Sequence, residues 1–275
     1  MGGIKIGIGF SVSRAGIPSV EQICRFAERV EDLGIDSIWP SDHIVSRQPS
    51  LDVACVMALF AARTKRVKMG PSVLSLPARD PVLVAKTYAT LDHLTGGRRR
   101  VIMAVGLGAD PRDTLACGIK SDERGARMRE GVDVLRKLWS GPNVTHSGRF
   151  YRFENVTIEP RPVGGPLDVW IGGNSEIALK RVARYGDGWN TWFSSTKNSS
   201  RPCSTRVRLS GIFIMICAFS PPILRCASWS AALASSASTR RCSGRSASSR
   251  ATRRSWRSRA RSTSAPISSR SPARS

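Results

Sequence analysis

Asp42 and His43, side by side directly after the short apolar run in DSIWPSDH, are the residues of this chain best suited to proton chemistry. An imidazole titrates near neutral pH and can give or take a proton, and a neighbouring carboxylate can orient it or a polar ligand. The same spacing also fits a plainer role, a helix-capping Asp beside a surface His. Three glycine-bearing runs suggest a different chemistry, the close approach of backbone to a ligand: Gly70-Pro71-Ser72-Val73, Gly106-Leu107-Gly108 and Gly172-Gly173-Asn174-Ser175. A Gly-Pro pair marks a bulge or an ordinary rim kink. Gly106 to Gly108 reads as a close-approach loop or a turn. Gly172, Gly173 and Asn174 stand at a helix start, where free N–H groups and the helix dipole favour an anion such as phosphate.

Other reactive side chains read more plainly. His93 falls on a helix before the Gly96-Gly97 turn, as a surface or interface residue, and His146 falls in a polar loop. Arg98, Arg99 and Arg100 form a short basic run of the kind that usually faces solvent. Trp39, Trp170, Trp189 and Trp192 lie near strand ends, where core or pocket wall is the default role of an indole. The seven cysteines contain no CxxC pair and their number is odd, so neither a metal site nor a disulfide framework is expected.

The candidate residues share a position: each run follows an expected strand. Short β-branched runs alternate with helical periods, the order of an α/β fold with parallel strands. The expected strands are Ile4 to Phe10, Asp36 to Pro40, Val67 to Leu74, Arg100 to Val105, Val169 to Ile171 and Gly188 to Trp192. Helices are expected after Pro18-Ser19, over Leu51 to Ala62, from Pro81 to Leu94, from Glu123 to Trp139 and from Ser175 to Tyr185. Ser19 with Gln22 has the capping-box spacing, and Pro81 suits a first helical turn. GRFYRFENVTIEP, from Gly148 to Pro160, alternates like a hairpin excursion. Each unit takes roughly thirty residues. No GxGxxG follows the first strand, which argues against a dinucleotide-binding sheet. A closed (β/α)8 barrel needs about 250 residues, so the 193 legible residues are about two strands short.

Beyond Asp187 the text changes. All 20 Asp and Glu lie at or before that residue, while 16 of the 43 Lys and Arg follow it. The pI near 11.2 and net charge of +23 would suggest nucleic acid or an anionic membrane, but +16 of that charge sits in the last 88 residues. From Ser194 to Ser275 there are 24 serines and no apolar period, so the expected organisation is a domain over 1–193 and a low-complexity, disordered basic tail over 194–275. The longest late apolar run, Ile212 to Phe219, is far too short to span a bilayer. With no signal-like N-terminus, the expectation is a soluble cytoplasmic protein.

Three stretches carry a resemblance: DSIWPSDH, RVKMGPSVLSLPARDPVLVAKTYATLDHLTGGR and RPVGGPLDVWIGGNSEIALKRVARYGDGW. Together they resemble the bacterial luciferase-like monooxygenase family, and most of all its deazaflavin (coenzyme F-420)-dependent oxidoreductases. The likeness covers about residues 4 to 193. It implies a (β/α)8 barrel with an insertion, whose last two units are here missing or replaced by the Ser/Arg-rich tail. It also implies a flavin-type ring at the carboxyl ends of the strands. The family's non-prolyl cis peptide falls on Ser72 and Val73, its phosphate-holding loop on Gly172, Gly173 and Asn174, and its acid–base or ring-orienting positions on Asp42 and His43. Gly106 and Gly108 fall beside the same ring. Many deazaflavin members also use an acidic side chain after strand four; here the glycines lead to Ala109 and Asp110, and Asp110 stays outside the catalytic set.

The implied reaction is hydride transfer between a small organic substrate and the deazaflavin, with His43 moving the proton and Asp42 orienting it or the ring. FMN with a monooxygenase chemistry is the alternative cofactor and reaction, and a homodimer is compatible with the family. A reading of another class is nucleic-acid binding, with tail arginines on phosphates and Trp229 or Trp256 stacked on bases. The tail has the composition of a GC-rich gene read out of frame. Without two further strands, strands one and six would present open edges.

Overall fold

The computed structural model describes residues 5–12, 16–46, 49–108, 110–191 and 213–217. All of them belong to the unit Met1–Arg225, and Cys226–Ser275 is a second unit outside them. Most of the tail, with Trp229 and Trp256, therefore lies outside the described residues, as do Trp192 and Ala109.

The elements run β1 (Lys5–Phe10), α1 (Val20–Asp32), β2 (Ser37–Pro40), α2 (Val53–Arg63), β3 (Lys68–Met69), β4 (Leu74–Ser75), α3 (Pro81–Leu94), β5 (Met103–Gly106), α4 (Pro111–Ala116), α5 (Arg124–Ser140), β6 (Val144–Ser147), β7 (Arg152–Val156), β8 (Val169–Gly172), α6 (Glu176–Tyr185), β9 (Gly188–Asn190) and β10 (Phe213–Cys217). Local signals explain the helix starts. Ser19 and Gln22 close the expected capping box at α1. Asp52, Asp80 and Asp110 each accept backbone N–H groups at the starts of α2, α3 and α4, and Pro81 and Pro111 open the latter two.

Two parallel sheets form, ordered β10-β1-β2-β3 and β4-β5-β8-β9, with an isolated parallel bridge from Met69 to Val101 joining them. The single strand expected over Val67 to Leu74 is broken into β3 and β4 by the Gly70–Val73 bulge. The hairpin pairs β6 with β7 and begins four residues earlier than its sequence suggested, because Gly148 to Tyr151 form the turn. Between strand four and the helix expected from Glu123, where no element was expected, the chain forms α4, for which Asp110-Pro111 is a start signal.

Side-chain parity along the strands shows how the sheet wraps. Ile8, Ile38, Met69, Val101, Met103, Val105, Val169 and Ile171 join the large core under the helices. On the other face Trp39, Ile102 and Ala104 form a separate small cluster with Val73 and Trp170, and the two indole rings lie 5.3 Å apart. A sheet buried on both faces, with one face lined by few, tightly nested residues, is the interior of a barrel wall. Glycines make room there: a Cβ on Gly7 would stand 2.6 Å from the Trp39 Nε1, one on Gly70 2.9 Å from Trp39 Cζ3, and one on Gly188 2.5 Å from Trp170 Nε1. On the outer face Phe10, Phe26 and Phe60 tie β1 to α1 and α2, with ring centroids 5.2 to 6.2 Å apart.

One expectation about the tail needs correction. β10 falls inside the segment read as lacking packed structure, yet Phe213–Cys217 pairs in parallel with Lys5–Gly9. Strand one is therefore not an open edge. FIMIC is the middle of the apolar run that had been noted only as too short for a membrane. Backbone pairing needs β-forming side chains rather than a mixture of charges, which is why composition hid it. At the other end β9 pairs only with β8 among the described residues. No described helix is long and apolar enough to cross a membrane.

Candidate active site

Because the strands are parallel, their carboxyl ends gather at one end of the sheet, and the candidate residues meet there. The Ser72–Val73 peptide is cis, as the resemblance implied. Val73 then lies across the neighbouring strands: a Cβ on Gly106 would be 2.5 Å from its Cγ2, and one on Gly172 2.7 Å from its Cγ1. Ser72 Oγ donates to Asn190 Oδ1 at 3.3 Å, joining the bulge to the end of β9. The bulge, β5, β8 and β9 thus form one continuous wall. Gly106 and Gly172, read from the sequence as cofactor contacts, are required to be glycine by Val73 itself.

Gly108 has a φ of +84°, and a Cβ there would stand 2.6 Å from Ser75 Oγ. It turns the chain away from β5 over β4. Gly173 has a φ of +118° and, with Asn174, is exposed ahead of α6. Its N–H donates to Asn190 O at 3.2 Å and its carbonyl accepts from Trp189 Nε1 at 2.8 Å, while Asn174 Oδ1 accepts from Thr191 Oγ1 at 2.5 Å. The loop is thereby fixed to β9, directly ahead of the positive end of α6.

The loop after β2 is held twice. Asp42 has no exposed side-chain surface; Oδ2 accepts from Ser75 N at 3.0 Å and Arg79 Nη1 at 2.9 Å, and Oδ1 accepts from Arg79 Nη2 at 2.7 Å. Burial pushes this carboxyl above its ordinary range, and the Arg79 fork and the Ser75 amide pull the other way. With both oxygens engaged, Asp42 anchors the loop. Two residues further on, Asp113 Oδ1 accepts from Ile44 N at 3.2 Å and Val45 N at 2.7 Å, while its buried Oδ2 has no hydrogen-bond partner. His43 lies half-buried between these two clamps. It is close enough to Asp110 for their charges to interact, although Arg112 holds that carboxyl down, to about 2.

Arg79, Asp113 and Asn190 were not singled out in the sequence. Asp113 could have been suspected from DPRDT, a helix start whose second Asp must face inward. Asn190 could have been suspected from its alternation with Gly188, which puts it on the tryptophan-lined face. Two plainer readings also change. His146 is buried in β6, stacked on Phe153 and 3.4 Å from Glu130, instead of lying in a polar loop. Arg100 is buried, donating to the carbonyls of Val67 and Thr64, whereas the run around it was read as a solvated face. His93 is exposed, with Nε2 2.8 Å from Arg161 O. Among the described residues no group of three His, Cys, Asp or Glu could hold a metal ion.

The fold and the site define an α/β barrel protein whose candidate residues gather at the carboxyl ends of its parallel strands. The chain belongs to the luciferase-like monooxygenase family, whose model matches residues 3–208 and so continues beyond the boundary near 193. It is 33% identical over 194 residues to the F-420-dependent glucose-6-phosphate dehydrogenase of Amycolatopsis mediterranei, covering 68% of this chain and 56% of that protein. A monooxygenase of Streptomyces bottropensis has a similar structure, with a TM-score of 0.61 at 28% identity over 68% of this chain and 59% of that one. An F-420-dependent secondary alcohol dehydrogenase, solved with an F-420–acetone adduct, gives a TM-score of 0.59 at 25% identity, over 68% and 58%. The chain spans about half the length of the curated relatives it matches.

Proposed function

We propose that the site at the strand ends binds a deazaflavin of the F-420 type and that the activity of this lineage is hydride transfer between that cofactor and a small organic substrate. The observation that carries the reading is the convergence of Val73, Gly106, Gly172 and Asn190 into one wall beside the anion-accepting loop Gly172–Asn174. A flat, phosphorylated ligand needs these two surfaces side by side. The resemblance of the motifs and the similarity to F-420-dependent relatives support the deazaflavin as that ligand.

When bound, the deazaflavin would accept or donate the hydride at its ring carbon. The chain does the rest. Ser72 and Val73 back the ring, and Gly172, Gly173 and Asn174 hold the phosphate. When a substrate carbon gives up a hydride, the proton on its attached heteroatom must leave with it, and the His43 imidazole takes that proton. Asp42 and Asp113 position the imidazole by fixing the backbone on either side of it. Monooxygenase chemistry, for which FMN is the alternative cofactor, is the second reading, and the similar Streptomyces protein is a monooxygenase.

Anaerobic titration of the full chain with F-420 and, separately, FMN tests this. Saturable quenching by F-420, weakened at least tenfold by Gly173→Val but unchanged in His43→Gln, is the expected result. Preference for FMN moves the protein to the second reading, and binding of neither removes the cofactor assignment. Where turnover is measurable, His43→Gln should lower kcat about 100-fold or more while leaving cofactor affinity intact.

A further inference from the structure

Away from the strand ends, a cleft of about 330 Å³ runs between α5 and α6, lined among others by Arg129, Lys180, Arg181, Arg184 and Tyr185. Lys180 is paired with Glu176 at 2.8 Å. Arg129, Arg181 and Arg184 form no ion pair with a carboxylate among the described residues, although nine other Lys and Arg side chains do so. The residues on α6 are spaced at 177, 180, 181 and 184, which makes one continuous helix face. Arg181 reaches across to α5, where a Cβ on Gly125 would stand 2.7 Å from its Nη2.

A second observation lies at the end of the cleft. Tyr185 Oη is buried without a hydrogen-bond partner among the described residues. Burial pushes its phenol up, while Arg181, Arg129 and Arg184 all pull it down. All three guanidiniums are therefore within electrostatic reach of one hydroxyl. Cations gathered this closely repel one another unless an anion sits among them, and guanidinium groups pair well with phosphate and carboxylate.

We infer that the α5–α6 cleft is a binding site for a short chain of anionic groups, phosphates or carboxylates, held by Arg129, Arg181 and Arg184. The site is separate from the proposed cofactor site and does not depend on that reading. The tail arginines attract polyanions too, so the test must resolve single residues.

Phenylglyoxal modification of the full-length protein, mapped peptide by peptide by mass spectrometry at about 0.15 M salt, does this with tripolyphosphate and triglutamate as probes. The expected result is that at least one probe slows modification of Arg181 and Arg184 about tenfold, while exposed Arg98 is unaffected. In Arg129→Ala the probe concentration giving half protection should rise about tenfold, and Arg129→Lys should recover part of the loss. Protection by tripolyphosphate alone assigns a phosphate ligand; protection by triglutamate assigns a carboxylate chain. Unchanged rates at Arg181 and Arg184 with both probes, or protection no greater than at Arg98, overturns the inference.

Discussion

Val73 and Gly106 stand in contact across the barrel wall so closely that a methyl group on Gly106 would lie 2.5 Å from Val73 Cγ2. The wall of the proposed cofactor site is therefore one packed unit built from residues 33 positions apart. Gly106→Ala should destabilise the fold by about 1–3 kcal/mol, the usual cost of overpacking. In a Val73→Ala background the same change should cost much less, and chemical denaturation of the four variants gives the coupling. Equal costs in both backgrounds would mean that another contact demands the glycine.

Asp42 and Arg79 form a pair that neither residue can leave alone. Removing one partner strands a buried charge, which typically costs about 3–5 kcal/mol. Because Arg79 keeps 20% of its side chain exposed, Asp42→Ala should sit nearer the lower end, while Arg79→Ala, which strands the fully buried Asp42 carboxyl, should cost more. Thermal melts of the two variants decide this. A loss under 1 kcal/mol for Asp42→Ala contradicts the anchoring role.

Asp113 should control the order of the His43 loop. Asp113→Ala removes the acceptor for the Ile44 and Val45 amides, a loss of about 1–3 kcal/mol. Both amides should then exchange hydrogen much faster. Asp113→Asn keeps an acceptor oxygen and should retain most of the protection. Unchanged exchange at Ile44 and Val45 in the alanine variant rejects the clamp.

Arg100 is buried by design of its surroundings. Its guanidinium donates to the carbonyls of Val67 and Thr64 and to Thr64 Oγ1, so Arg100→Ala leaves these acceptors buried and empty. A destabilisation of about 2–4 kcal/mol is expected. Arg98→Ala, two residues earlier and exposed, should change stability by less than about 0.5 kcal/mol.

Acid should weaken the attachment of the hairpin and of the turn before β3. Burial pushes Glu130 up, but hydrogen bonds from the Tyr151 and Phe150 amides and from His146 more than offset this and leave it below its ordinary range. Glu31 is likewise lowered against its burial, by the amides of Val67, Arg66 and Lys65. A carboxylate depressed in the folded state contributes stability that is present above its unfolded pKa, about 4.3 for Glu, and disappears as pH falls through the folded value. Stability should therefore drop as pH falls below about 4.3. Glu130→Gln should flatten that acid limb in urea titrations at several pH values; a slope identical to that of the parent protein rejects the assignment.

The amino-acid sequence alone determined the strand–helix order, the helix starts and the division in charge near Asp187. These depend on neighbours in the chain: a capping Ser19 with Gln22, a Pro after Asp80, an apolar period under each helix. It also held the motifs that mark the family, and the strand ends at which Asp42, His43, Ser72, Val73 and Gly172 to Asn174 gather. Tertiary structure alone decided what those residues touch. Asp42 meets Arg79 across 37 positions and Asp113 meets Ile44 across 69, and no local pattern carries such a pairing. Gly106 and Gly172 read alike whether they face a ligand or Val73, because a glycine records only that space was needed. His146 and Arg100 look like surface residues until the partners that satisfy them, Glu130 and the Val67 and Thr64 carbonyls, are in place. The pairing of β10 with β1 has the same cause: an apolar run acquires a strand's role only when a sheet edge is there to receive it.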